Sequence, residues 1–62
     1  MVGFKTKSST YYVDEANKTI SGGYFGQNKV PYIHLHAMVG NKAYIKLLNG
    51  DLVTTGVIIK YI

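Results

Sequence analysis

From Tyr32 to Thr55 the side chains alternate between apolar and polar, and that period of two commits the segment to antiparallel strands. Ile33, Leu35, Ala37 and Val39 fall on one side of the first strand, with Tyr32, His34, His36 and Met38 on the other. In the next strand Ala43, Ile45 and Leu47 oppose Lys42, Tyr44 and Lys46. The apolar sides coincide when Gly40-Asn41-Lys42 forms the loop, which pairs Val39 with Ala43, Ala37 with Ile45 and Leu35 with Leu47. A shorter Gly40-Asn41 turn puts Lys46 opposite Leu35, and a lysine on the apolar side counts against it. The preferred register sets His36 opposite Lys46, Met38 opposite Tyr44 and His34 opposite Leu48, all facing outward. Asn49-Gly50 then reads as a type I′ turn, because both residues tolerate positive φ, so Leu48 faces Asp51 and Leu47 faces Leu52.

Upstream, Val2 to Lys7 also alternates, with Phe4 and Thr6 on one side and Lys5 and Lys7 on the other. Ser8-Ser9-Thr10 interrupts the pattern and Tyr11-Tyr12-Val13 resumes it, which fits one bent strand or two. Asp14 to Lys18 is rich in turn formers and closes a hairpin onto Thr19-Ile20-Ser21. Gly22 to Pro31 is the long irregular stretch, its glycines flanking Tyr24 and Phe25, and Pro31 suits the first residue of a strand. Its glycine spacing matches neither a P-loop nor a dinucleotide fingerprint. The two aromatics either fold back to cap the core or stand out as anchors for a partner. Downstream, Thr54-Thr55-Gly56 reads as a corner or bulge before Val57 to Ile62, a run that is apolar on both faces. A strand covered on both sides implies closure into a barrel or a second subunit outside.

No stretch has a helical period, so residues 1–62 are expected to form one all-β domain: a small antiparallel sheet of five or six strands, or a partly open SH3-like barrel. A face-to-face dimer of sheets is the alternative. At 62 residues the chain is near the lower limit for independent folding, and it has no cysteine to form a disulfide. Good packing or oligomerisation must supply the stability. Charged residues make up only 16% against about 25% in ordinary domains, which leaves apolar surface outside and favours a homo-oligomer.

The formal net charge is +4, from seven lysines against Asp14, Glu15 and Asp51. A basic balance suits acidic partners, including nucleic acid, yet the absence of arginine removes the residue on which base readout most relies. Nothing resembles a signal peptide or an apolar run long enough to cross a membrane, so a cytoplasmic protein with no membrane partner is expected. Asn17-Lys18-Thr19 matches a glycosylation acceptor, a match without meaning in that compartment.

His34 and His36 share a strand face and are the one pair suited to a metal, but two imidazoles need a third ligand, and Asp51 or another subunit is the sole source. Neither a metal nor a cofactor is expected. Without cysteine, and in a chain too small to wall off a water-excluding pocket, catalysis is not expected either. The functional candidates are therefore partner-binding residues: Tyr32, His34, His36, Met38, Tyr44 and Lys46 on the outward face, with Lys42 at its edge, and Tyr24 and Phe25 in the loop. Interleaved aromatic and basic side chains serve protein interfaces and single-stranded nucleic-acid platforms alike. Low charge and absent arginine favour a protein partner. Nucleic acid, or an anionic small ligand held between subunits, remains the alternative.

Thr6-Lys7-Ser8-Ser9-Thr10-Tyr11-Tyr12-Val13-Asp14 and Gly50-Asp51-Leu52-Val53-Thr54-Thr55-Gly56-Val57-Ile58 resemble segments of short uncharacterised all-β proteins of bacteriophages and prophages of Gram-positive bacteria. The resemblance implies a mobile-element accessory protein that works by binding in the host cytoplasm, a group that includes inhibitors of host defence systems. It supplies no catalytic residues.

Overall fold

The computed structural model describes residues 3–62, so Val2 of the first expected strand lies outside the described residues. Six antiparallel strands follow in order: β1 (Gly3–Thr6), β2 (Thr10–Asp14), β3 (Thr19–Gly22), β4 (Val30–His36), β5 (Lys42–Leu47) and β6 (Leu52–Tyr61). Each pairs with its chain neighbour, and β6 returns to β1, which closes the sheet into an irregular ring. The expectation of one all-β unit of five or six antiparallel strands is met, with six strands and a closed ring that is not a regular barrel. The single helical piece among the described residues is a 3-10 turn at Gly23–Phe25.

The residues between Lys7 and Tyr11 make a hairpin rather than a bend. Thr6 N–H donates to the Ser9 carbonyl, and the Thr6 hydroxyl exchanges bonds with the Ser9 backbone. Phe4 and Thr6 then point inward from β1, and Tyr11 and Val13 from β2, as the alternation demands. Asp14 closes the next turn by accepting from both the backbone and the side-chain amide of Asn17.

The long strand β6 closes the ring. Its first half pairs with β5, Lys46 opposite Leu52 and Tyr44 opposite Thr54, and its second half pairs with β1. The expected irregularity at Thr54 to Gly56 is a bulge in which Thr55 and Gly56 together oppose Ala43. Thr55 turns inward, accepts from Ala43 N–H and donates to the Gly56 carbonyl, so its buried hydroxyl is satisfied on both counts. A second bulge, at Ile59 opposite Lys5 and Thr6, returns Ile58 to the core and leaves Ile59 outside.

Two registers differ from the sequence reading. Leu35 pairs with Ile45, His36 with Tyr44 and His34 with Lys46, a shift of two residues that leaves Ala37 to Asn41 as the connection. The cause is competition for backbone groups. Gly40 N–H donates to the Ile58 carbonyl and Ile58 N–H to the Asn41 carbonyl, so this segment pairs with β6 instead of prolonging β4. Val39, expected inside, is exposed for the same reason. At the other hairpin Lys46, not Leu47, faces Leu52, and the turn is the three-residue Leu48-Asn49-Gly50. Gly50 has positive φ and Asn49 does not, because the Asn49 side chain accepts from Asp51 N–H while Gly50 N–H bonds the Leu47 carbonyl. The odd shift turns Leu52 outward and brings Thr55 into the core.

The interior is built around Tyr11. Its ring stacks on Phe4 with centroids 5.0 Å apart and meets Phe25 edge-on at 6.2 Å, and its hydroxyl accepts from Tyr24 N–H. Phe4, Ile20, Ile45 and Ile58 are essentially inaccessible, each contributing about 1.5–3 kcal/mol by leaving water. The loop after β3 reaches this core because Gly23, at φ +47, lies flat against the Tyr11 ring, where an added Cβ would overlap ring atoms. Gly23→Ala should therefore cost about 3 kcal/mol in urea denaturation, combining left-handed strain with displacement of a core ring. Gly26→Ala, also at positive φ but facing open space, should cost about 1 kcal/mol. Equal costs would remove the Tyr11 contact as the cause.

Candidate binding face and groove

Three adjacent strands present one outer surface. Across β4, β5 and β6 it is ordered in rows: His34, Lys46 and Leu52, then His36, Tyr44 and Thr54, then Lys42 beside Val57. The His36 and Tyr44 rings are 6.4 Å apart and tilted, a loose contact. Leu52, Tyr44, Val57 and Ile59 are 62%, 47%, 46% and 47% exposed. Lys5 and Lys60 stand directly opposite each other where β1 joins β6. The carboxylates lie elsewhere, Asp14 and Glu15 at the β2–β3 turn and Asp51 at the β5–β6 turn. The lysines on this surface are thus not interleaved with acids.

Most of the expected partner-binding residues fall on this surface or its rim. His34, His36, Tyr44 and Lys46 occupy it, and Met38 is exposed in the connection beside it. Tyr32 does not. It is 7% exposed, and Ile33, expected in the core, is 47% exposed. A bulge explains both: Tyr32 pairs with Leu47 and His34 with Lys46, so Ile33 is the extra residue and the alternation reverses at it. The loop aromatics divide. Phe25 is buried against Tyr11 and is withdrawn from any partner, whereas Tyr24 is 77% exposed and packs edge-on against Phe25. Leu52, Val57 and Ile59 were missed as surface residues because their direction depends on turn length and bulges. The apolar character of Val57 to Ile62 on both faces was the available signal.

A groove of about 460 Å³ runs beside β4, lined by Glu15, Lys18, Tyr32, Ile33, His34, Leu35 and Ala37. It opens where the ring is joined least, since β3 and β4 pair only through Thr19 with Pro31 and Ile20 with Val30. One further bond, from Tyr32 N–H to the Lys18 carbonyl, ends that seam.

Among the described residues no group of three His, Cys, Asp or Glu side chains comes together as a metal site needs, so His34 and His36 gain no third ligand from them. No helix among them is long and apolar enough to cross a membrane. The described chain is thus a small six-stranded β ring with a basic, apolar outer face and an open groove beside β4. Compared with known protein families, curated proteins and solved structures, it has no match.

Two groups near the groove have shifted acidities. Hydrogen bonds from the Asn17 side chain and backbone hold the Asp14 carboxyl below its ordinary value. Burial raises the Tyr32 phenol above the usual 10.0, and the negative charges of Glu15 and Asp14 add to the rise. A pKa raised in the fold means that the stability it contributes is fully present below about pH 10 and is lost as pH rises through the folded value. Wild type should therefore lose urea resistance more steeply above pH 10 than Tyr32→Phe, and parallel curves would refute this role for Tyr32.

Proposed function

We propose that this is a non-enzymatic binding protein that docks the outer face of β4, β5 and β6 onto another protein, either a second copy of itself or a host protein that it captures or inhibits. The observation that carries the reading is the apolar strip of Tyr44, Leu52, Val57 and Ile59, each 46% exposed or more. Ring closure already pairs β6 on both sides and fills the core with Ile58, so the fold itself has no need of apolar residues on the outside. A buried aromatic and aliphatic centre inside a lysine rim is the composition of a protein interface. The resemblance to short phage and prophage proteins adds a mobile-element setting, in which small accessory proteins act by binding.

Sedimentation equilibrium at tens of micromolar tests the self-association arm. The expected mass is at least twice the 6.9 kDa of the monomer, reverting to the monomer in Val57→Lys/Ile59→Lys with little change in melting temperature. A wild-type monomer eliminates that arm and leaves the host protein.

A second reading, nucleic acid, has its own support in the Lys5–Lys60 and His34–Lys46 pairs. Like charges directly opposite each other on a sheet are destabilising, and a bound polyanion relieves the lysine pair. Under this reading fluorescence anisotropy with oligo-dT should show affinity falling at least tenfold between 50 and 200 mM salt, roughly the loss from releasing a few counterions. Flat salt dependence, or no binding at 50 mM, would end it.

A further inference from the structure

The groove beside β4 is bounded by backbone whose hydrogen bonds are incomplete. The ladder from β4 to β5 runs on to His36, whereas the ladder to β3 stops at Pro31, with one further bond at Tyr32. Strand amides alternate in direction. Leu47 gives its N–H to Asp51 in the strand-six hairpin, so Lys46 and Tyr44 face β4 and bond His34 and His36. Leu35 between them has its N–H and carbonyl turned toward the groove, where β3 does not extend and no strand is in register with it.

Unpaired strand backbone recognises another extended backbone. We propose that the groove along β4 binds an extended peptide segment of a partner protein as an added antiparallel strand, with an acidic residue opposite His34, an apolar residue opposite Leu35 and an acidic residue opposite His36. Size supports this occupant. A strand fills on the order of 160 Å³ per residue, from about 3.3 Å rise, 4.8 Å strand spacing and 10 Å sheet thickness. The groove of about 460 Å³ has room for a short extended segment, and Leu35 with its two neighbours sets the paired length at about three residues. The side-chain preferences follow from the register. Leu35 is half-buried and packs on the core, so the residue opposite it points inward against Leu35 and Ala37. Residues opposite His34 and His36 point outward, where His34 is backed by Lys46 and the groove wall carries Lys18. Pro31 and the bulge at Ile33, devices that blunt a strand edge, lie at the end already joined to β3 and leave Leu35 and His36 unprotected.

The test is a titration of isotope-labelled full-length protein with the blocked peptides Ser-Glu-Val-Glu-Ser and Ser-Lys-Val-Lys-Ser, followed by amide chemical shifts and hydrogen exchange. Expected are shifts confined to Ile33 through Ala37, slowed exchange at Leu35, and about fivefold tighter binding of the acidic peptide. Leu35→Pro removes the groove-facing donor together with the Leu35 side chain that packs on the core, and should abolish these shifts while amides outside β4 keep their dispersion. Shifts centred on Tyr44 and Val57, equal binding of both peptides, or no response at millimolar peptide would overturn the proposal. So would concentration-dependent protection of Leu35 without peptide, which would make a second copy the occupant. The wild-type map decides the question even where Leu35→Pro fails to fold.

Discussion

Backbone pairing along β6 is the constraint on which the rest of the molecule depends. A chain of 62 residues cannot leave long strand edges in water and still hold a core, so one strand must be bonded on both sides to close the sheet. Ten residues of β6 do this, half against β5 and half against β1. The same demand draws Gly40 and Asn41 away from β4 and onto Ile58, and it draws Ile62 N–H onto the Gly3 carbonyl. Closure there is extensive, and closure between β3 and β4 is short. The groove and the turned-out backbone of Leu35 lie where the ring has least pairing to offer.

Bulges convert this closure into a particular set of outward side chains. Each adds one residue and reverses the inside–outside alternation beyond it. At Ile33 the reversal sends Tyr32 into the core and keeps His34 and His36 outside; at Thr55-Gly56 and Ile59 it lets β6 bend from one neighbour to the other. The cost is apolar surface. Val57 and Ile59 end up outside because Ile58 is needed inside, and Leu52 because the hairpin turn has one residue more than the shortest form. Core and candidate interface are thus set by the same register shifts, and a change at a bulge would alter both.

How much of this was legible in the chain depends on the range of the interaction involved. The alternation of Phe4 with Thr6, Tyr11 with Val13, and Ala43 with Ile45 and Leu47 is local and appears unchanged in the fold. So do the Asp14 to Lys18 hairpin and the bulge at Thr54 to Gly56, each carried by residues whose turn preferences are their own. Of the expected binding residues, His34, His36, Tyr44 and Lys46 stay outward because an even register shift conserves faces. Tyr32 and Phe25 do not, since one lies beyond a bulge and the other is held by a ring in a different strand.

The amino-acid sequence by itself determined that this is an all-β chain, roughly where its strands run, and that it has more apolar residues than one small core can hold. Those properties come from side-chain period and composition, which act over a few residues. Only the tertiary structure decided the pairing partners, the placement of Val57, Ile59 and Leu52 on the surface, and the stretch of β4 left unpaired. These follow from competition among distant segments for the same backbone donors and acceptors, as when Ile58 captures Asn41, and no local pattern records which segment wins that competition.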